Sequence, residues 1–332
     1  MLEKPDIADE LIISHLKEHY HLHTVSLTFL PLGDRDTAVY RIVADHGLIY
    51  FLKLRKDLDE IAVSVPIFLK SKGFKEIIAP IESKSQQGWV DFGDYKMILY
   101  PFVEGKNGFE IELSDLQKQK MGRALKALHE IDISLELKKR IPKETFSPKY
   151  RDDMKSFFGQ MTNKIFKDPI AAKLNEFIKV KRNVINHLID CAEKLAFELR
   201  QKPLEFVLCH TDIHGGNILI SNAGEVYIVD WDAPMFAPKE RDLMFIGGGI
   251  DDIWKTKRDE SMFYKAYQKA NINLSALAYY RYERIIVDLV EICNQLLLTE
   301  GGGADREQAY QWFILNFKSG GTIDRAKNTR NI

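Results

Sequence analysis

The sequence predicts an α+β chain of two lobes, a small antiparallel β-rich lobe followed by a larger, mainly helical one. Three observations carry that expectation. The first hundred residues hold four runs of β-branched and aromatic residues bounded by Gly, Asp and Pro. From about residue 104 onward, apolar positions recur at helical spacing over long stretches. At 332 residues, 45% hydrophobic and 29% charged, the chain exceeds the usual size of one compact domain and has ample apolar material for two. The expected division is 1–103 and 104–332, joined near Tyr100-Pro101-Phe102-Val103-Glu104.

Taken in order, Val25 to Leu32, Ala38 to Val43, Leu48 to Leu54 and Tyr95 to Tyr100 read as strands, with Asp45-His46-Gly47 as a hairpin turn. Between the third and fourth, Leu58, Ile61, Ala62, Val65, Phe68 and Leu69 mark a helix that Gly73 stops and Pro66 kinks or shortens. Leu116 to Ile131 is a second helix. Val184, Ile185, Leu188, Ile189, Ala192, Leu195, Ala196 and Leu199 form the apolar stripe of another. Two short strands, Ile218 to Ile220 and Val226 to Val229, then flank a hairpin at Ser221 to Glu225, and the final eighty residues return to helical patterning.

Charge and cysteine usage narrow the function. Lys plus Arg number 47 and Asp plus Glu 48, so no overall basic field draws the chain to nucleic acid or an anionic membrane. Cys191, Cys209 and Cys293 are odd in number and far apart, which suggests neither a disulfide framework nor a thiolate zinc site. The opening MLEKPDIADE has no basic-then-apolar signal pattern, and no run approaches the ~20 apolar residues that span a bilayer. A cytoplasmic protein is expected, with no nucleic-acid, membrane or protein partner implied.

Chemistry concentrates in HTDIHGGNILI (210–220) and VDWD (229–232). Asp212 and Asn217 lie five apart in a polar loop that opens into an apolar strand, and Asp230 ends the next strand. Two carboxylates and an amide are oxygen donors suited to magnesium, which completes its shell with phosphate oxygens and water. Period-two alternation puts Lys53 on one face of its strand with Ile49 and Phe51, where a charged tip is placed to hold phosphate.

Lys53, HTDIHGGN and VDWD, in that order and at those separations, resemble the aminoglycoside phosphotransferase and choline kinase family, which has a protein-kinase-like fold. The likeness extends to GRALKALHEID (Gly122 to Asp132) and to Arg241-Asp242-Leu243. The resemblance implies ATP as phosphoryl donor, Mg2+ as cofactor, and transfer to an acceptor hydroxyl. Residue by residue, it makes Asp212 the aspartate that receives the hydroxyl, and Asn217 and Asp230 the metal ligands. It places the adenine edge at Tyr100, Pro101 and Val103, with Pro101 contributing only its carbonyl. The phosphate-covering loop falls at Leu32 to Thr37, with Gly33 and Asp34 as nucleotide contacts, although no GxGxxG is present. Glu60 is the helix glutamate available to pair with Lys53. Gly215 and Gly216 let the backbone turn so that Asp212 and Asn217 both face inward. His210 supports the loop, and Asp242 braces it.

Residues 225 to 252 contain seven acids against two bases, which favours a cationic acceptor; Asp232, Asp251 and Asp252 are candidates to bind it. The resemblance points to spectinomycin or a related amino sugar. Choline or ethanolamine is the alternative, since Trp231, Trp254, Phe263 and Tyr264 supply aromatic rings for a cage. Two other classes stay open. His210, Asp212 and His214 share one face of an extended segment and suit a metal-dependent hydrolase, and a kinase-like binding module without turnover would keep the same framework.

Overall fold

The computed structural model describes residues 4–32, 36–161, 164–249, 253–254, 256–268, 271–299 and 304–330. Gly33, Asp34, Asp251 and Asp252 lie outside the described residues. In chain order the elements are α1 (Asp9–Tyr20), β1 (Thr24–Leu30), β2 (Thr37–Ala44), β3 (Ile49–Arg55), α2 (Ile61–Ser71), β4 (Val90–Phe92), β5 (Tyr95–Pro101), β6 (Gly105–Asn107), α3 (Asp115–His129) and α4 (Leu135–Arg140). There follow α5 (Lys149–Met161), α6 (Pro169–Arg200), β7 (Val207–Cys209), β8 (Ile218–Ser221), β9 (Val226–Ile228), β10 (Met235–Ala237), α7 (Glu240–Leu243), α8 (Lys257–Tyr267), α9 (Leu274–Leu297), α10 (Ala304–Leu315) and α11 (Thr322–Arg330). They gather into two compact units, 1–142 with 210–235, and 143–209 with 236–332.

In the first unit five antiparallel strands run in the order β1-β2-β3-β5-β4. Alternation along β2, β3 and β5 sends Tyr40, Ile42, Leu52, Leu54, Met97 and Leu99 to one face, where they pack with Ile12 and Leu16 of α1 into a dry core. The other face of β3 carries Phe51, Lys53 and Arg55. The expected turn at 45–47 forms, with Gly47 at φ 79° and its amide bonded to the Ala44 carbonyl at 2.9 Å. Helix α2 runs through Pro66 and ends at Gly73, where Gly73 bonds Lys70 and Phe74 bonds Leu69, a Schellman closure.

A second sheet of this unit, β6-β8-β9, carries the 210–232 region. Strand β6, only three residues long and invisible to periodicity, pairs Gly105 with Ser221. A Cβ on Gly105 would sit 2.2 Å from the Ile220 carbonyl oxygen, so the close approach demands glycine. Helix α3 starts with a Ser114/Gln117 capping box and holds the β8–β9 hairpin through Lys120 to Glu225 at 2.8 Å.

The second unit is mainly helical. Asp168 caps α6 through the Ala171 amide, with Pro169 at the first helical position, and α6 lies along α9 with α5, α10 and α11 alongside. At its centre Arg151, 1% exposed, bonds Glu283, the Tyr279 hydroxyl and the Phe146 and Ser147 carbonyls. No helix of the described residues is long and apolar enough to cross a membrane.

Candidate functional site

Strand β3 aims Lys53 away from the sheet core, and its ammonium reaches Asp230 Oδ1 at 2.8 Å and Asp232 Oδ1 at 3.0 Å. Arg55, two residues along on the same face, also pairs with Asp232. Burial opposes the Lys53 charge, but Asp230 and Asp232 outweigh it and hold the ammonium above its ordinary pKa. For Asp230, burial is overcome by Lys53 and the carboxyl lies below its ordinary value. For Asp232, burial together with repulsion from Asp230 prevails over Lys53 and Arg55, and its carboxyl lies above it.

The loop between residues 210 and 217 is anchored by its two histidines in the same way. Each ring accepts an amide two residues ahead on Nδ1: His210 from Asp212 at 3.2 Å, His214 from Gly216 at 3.0 Å. That assigns the proton to Nε2 in both. His210 Nε2 then donates to the Val229 carbonyl at 2.9 Å, tying the loop to the residue before Asp230. Its ring packs edge-on against Trp231, whose indole donates to the Ile228 carbonyl. Both nitrogens of His210 are thus committed to backbone, and the metal triad of His210, Asp212 and His214 does not form.

Asn217 is brought beside the end of β9 by the Ile218–Ile228 pair and by the Val229 amide, which donates to the Asn217 carbonyl at 3.0 Å. Its side-chain amide donates to the Asp212 carbonyl at 2.9 Å. The resulting order is sharp. Lys53, Asp230, Asn217 and Asp212 occupy one continuous stretch of the first unit, with Asp212 partly exposed and Asn217 7% exposed.

Strain sits next to the chemistry, though not where the glycines suggested. Gly215 and Gly216 lie in a single 3-10 turn, Gly215–Asn217, without positive φ, whereas Thr211 (φ 80°) and Asp230 (φ 65°) take the left-handed conformation. That conformation is costly for a β-branched threonine. The Thr211 hydroxyl offsets part of it by donating to the Ala233 carbonyl at 3.1 Å. Gly216 is needed for space instead: a Cβ there would lie 2.8 Å from the His214 ring and 2.9 Å from Phe109.

Several expectations meet other arrangements. The pairing of Lys53 with Glu60 is not formed; Glu60, placed just before α2, bonds Arg140 at 2.8 Å while Lys53 turns to the two aspartates. Asp232 stands with the cations of β3. Among the described acids of 225–252, Glu225 pairs with Lys120, Glu240 accepts the Asn273 amide, and Asp242 is fully buried. Trp231, Trp254 and Phe263 are core residues at 4%, 1% and 0% exposure, and Trp254 packs on Phe263 rather than lining a cage. Tyr100, the penultimate residue of β5, pairs with Phe51, and burial pushes its phenol pKa up. Pro101 closes the same strand beside Tyr50, and Val103 follows, partly buried. Sequence reasoning missed Arg55, which the alternation that found Lys53 also marks, and the bonds of His214.

Comparisons with known proteins bear on the family and the fold. The description "Phosphotransferase enzyme family" matches residues 30–281. A crystal structure of spectinomycin phosphotransferase APH(9)-Ia in complex with ADP and spectinomycin is 33% identical, with a TM-score of 0.91 covering 99% of this chain and 100% of that one. The choline kinase LicA of Streptococcus pneumoniae, at 13% identity and a TM-score of 0.60, shares the kinase-like α+β fold alone.

 That alignment covers 98% of this chain and 99% of the choline kinase. Protein StrN of Streptomyces griseus is 24% identical over 255 residues, 73% of this chain and 77% of that protein. With a family match across residues 30–281 and a relative one-third identical along nearly the whole chain, this protein belongs to the phosphotransferase enzyme family.

Proposed function

We propose that the chain transfers the γ-phosphoryl group of ATP to a hydroxyl of spectinomycin or a closely related cationic aminocyclitol. The observation that carries the reading is the convergence of Lys53, Asp230, Asn217 and Asp212 in one unit, through the Lys53–Asp230 bond and the Val229–Asn217 bond. The 33% identity to a phosphotransferase bound to ADP and spectinomycin supports the choice of donor and acceptor. Choline loses support because three of the four rings offered for a cage are core residues.

The division of labour follows from charge. Lys53, with Arg55 beside it, holds phosphate oxygens in place of the carboxylates it now contacts. Tyr100, Pro101 and Val103 form the adenine edge, at a hinge between lobes 1–103 and 104–332. Asn217 and Asp230 fit magnesium: both offer oxygen, and the Asn217 amide nitrogen is turned to the Asp212 carbonyl, which directs its oxygen elsewhere. When bound, the ion would neutralise phosphate charge. Asp212 orients the acceptor hydroxyl in line. As the new oxygen–phosphorus bond forms, the bond from the γ-phosphorus to the bridging oxygen breaks. ADP leaves with that electron pair, and the hydroxyl proton passes to Asp212.

The test is transfer of labelled γ-phosphate from magnesium-ATP to a panel of spectinomycin, other amino sugars, choline and ethanolamine. Label should enter spectinomycin. Asp212→Ala should lower its turnover by about 10³-fold while leaving nucleotide affinity within about twofold. Asp230→Ala should weaken magnesium-nucleotide binding itself. Label in choline instead, or full turnover in Asp212→Ala, would refute the reading.

A further inference from the structure

Beside Asp212 stands a second histidine that the proposed chemistry does not use. His214 has its Nδ1 occupied by the Gly216 amide at 3.0 Å, so its proton lies on Nε2, and Nε2 stands 3.5 Å from Asp212 Oδ2. The Asn217 amide nitrogen approaches the same oxygen at 3.5 Å. Both separations are long for hydrogen bonds, as is usual for a catalytic group before its substrate arrives.

The ring is held from its other side by a built support. Phe109 stacks on it with centroids 5.5 Å apart and planes 10° from parallel, although the Phe109 side chain is otherwise exposed. The turn that presents Phe109 is tied to the catalytic loop: the Gly108 amide donates to the Gly215 carbonyl at 2.8 Å and the Ile218 carbonyl at 3.0 Å, and Asn107 Oδ1 accepts the Phe109 amide. Gly216 leaves the space that the stack requires. An exposed aromatic ring placed face to face on an imidazole, on a backbone fastened at two points, fixes the direction of that imidazole's N–H.

We infer that His214 is a positioning residue: clamped between the Gly216 amide and the Phe109 ring, it donates from Nε2 to Asp212 Oδ2 and sets the rotation of the carboxylate that receives the acceptor hydroxyl. The inference rests on the role proposed for Asp212. Rotation matters because an in-line transfer tolerates little misplacement, and an error near 1 Å costs on the order of 10²-fold. The contact turns the motif HTDIHGGN into two separate clamps, His210 for the backbone of the loop and His214 for its side chain.

Two amide variants separate this role from simple support of the turn. The side-chain oxygen of Asn can replace Nδ1 and accept the Gly216 amide, whereas the terminal nitrogen of Gln can replace Nε2 and donate to Asp212. His214→Asn should therefore lower kcat by roughly 10- to 100-fold with the nucleotide KM within about twofold, and His214→Gln should recover most of the loss. Phe109→Leu, which keeps the histidine but loosens its ring, should lower kcat by a few fold at unchanged nucleotide KM, and it keeps the test decisive should the His214 variants prove unstable. Wild-type kcat in His214→Asn, recovery by Asn rather than Gln, or wild-type kcat in Phe109→Leu would overturn the inference. If Asp212→Ala keeps full turnover, the role of Asp212 falls first; if it loses turnover while His214→Asn does not, only the role of His214 falls.

Discussion

Two ionic clusters of nearly the same chemistry occupy different environments in this protein. In the first unit Lys53 and Arg55 meet Asp230 and Asp232, whose side chains are 44% and 31% exposed. In the second unit Arg151 meets Glu283 at 1% and 9% exposure, and its two terminal nitrogens also bond two carbonyls and a tyrosine hydroxyl. The first cluster faces water on its carboxylate side, so its cations can trade carboxylate oxygens for phosphate oxygens at small net cost. The second has nothing to trade with. A buried charge that loses its partner keeps its desolvation penalty, so that pair serves architecture.

The largest expected effect is on the buried pair. Glu283→Ala should destabilise the chain by about 3–5 kcal/mol, because Arg151 is left buried and uncompensated. Urea unfolding would measure it, and the nucleotide KM should stay at the wild-type value under conditions where the variant is folded. A loss below ~1 kcal/mol would erase the contrast between the clusters.

Next in size, Lys53→Ala should cut turnover by about 10²-fold, roughly 3 kcal/mol in the barrier, or raise the nucleotide requirement correspondingly. Its unfolding free energy should move by no more than ~1 kcal/mol, since its partners remain in contact with solvent. Wild-type kinetics would remove Lys53 from the site, and a stability loss as large as that of Glu283→Ala would make both clusters structural.

The smallest effect is a pH dependence. Burial pushes the Glu283 carboxyl up to about 6, although Arg151 pulls it the other way. The folded chain then keeps a proton that the unfolded chain has already released. The stability from this group is fully present below about pH 4.5 and is lost as pH rises through about 6, a change of about 2 kcal/mol. Glu283→Gln cannot titrate, so the difference in Tm between it and the wild type should shift across that window and stay level above pH 7. A constant difference from pH 4.5 to 7 would show that Arg151 keeps Glu283 ionised throughout.

Much of the candidate site could be marked out in the sequence because each of its parts is local. Alternation along seven residues of β3 singles out Lys53, and the loop HTDIHGGN with VDWD led to the family that residues 30–281 match. The four main strands and the long helices were likewise visible, since each buries a regular stripe of apolar side chains. Strands of three residues, such as β4 and β6, hold too few positions to display a period. The glycines of the loop lie in a turn, but a backbone turn and a close approach of side chains both call for glycine, and only the surroundings of Gly216 reveal the second.

By itself, then, the chain determined which residue types would be available and which face of each element they would take, because those properties depend on neighbours within a few positions. Partnership was decided only by the tertiary structure. Lys53 and Asp230 are 177 residues apart, so nothing local could direct the ammonium to Asp230 and Asp232 and leave Glu60 for Arg140. The same holds for the acids and aromatics of 225–264: composition counted them as charge and cage, while folding assigned most of those described to ion pairs and core. Pairing energies depend on distance and on exclusion of water, and both are set by packing between segments remote in sequence.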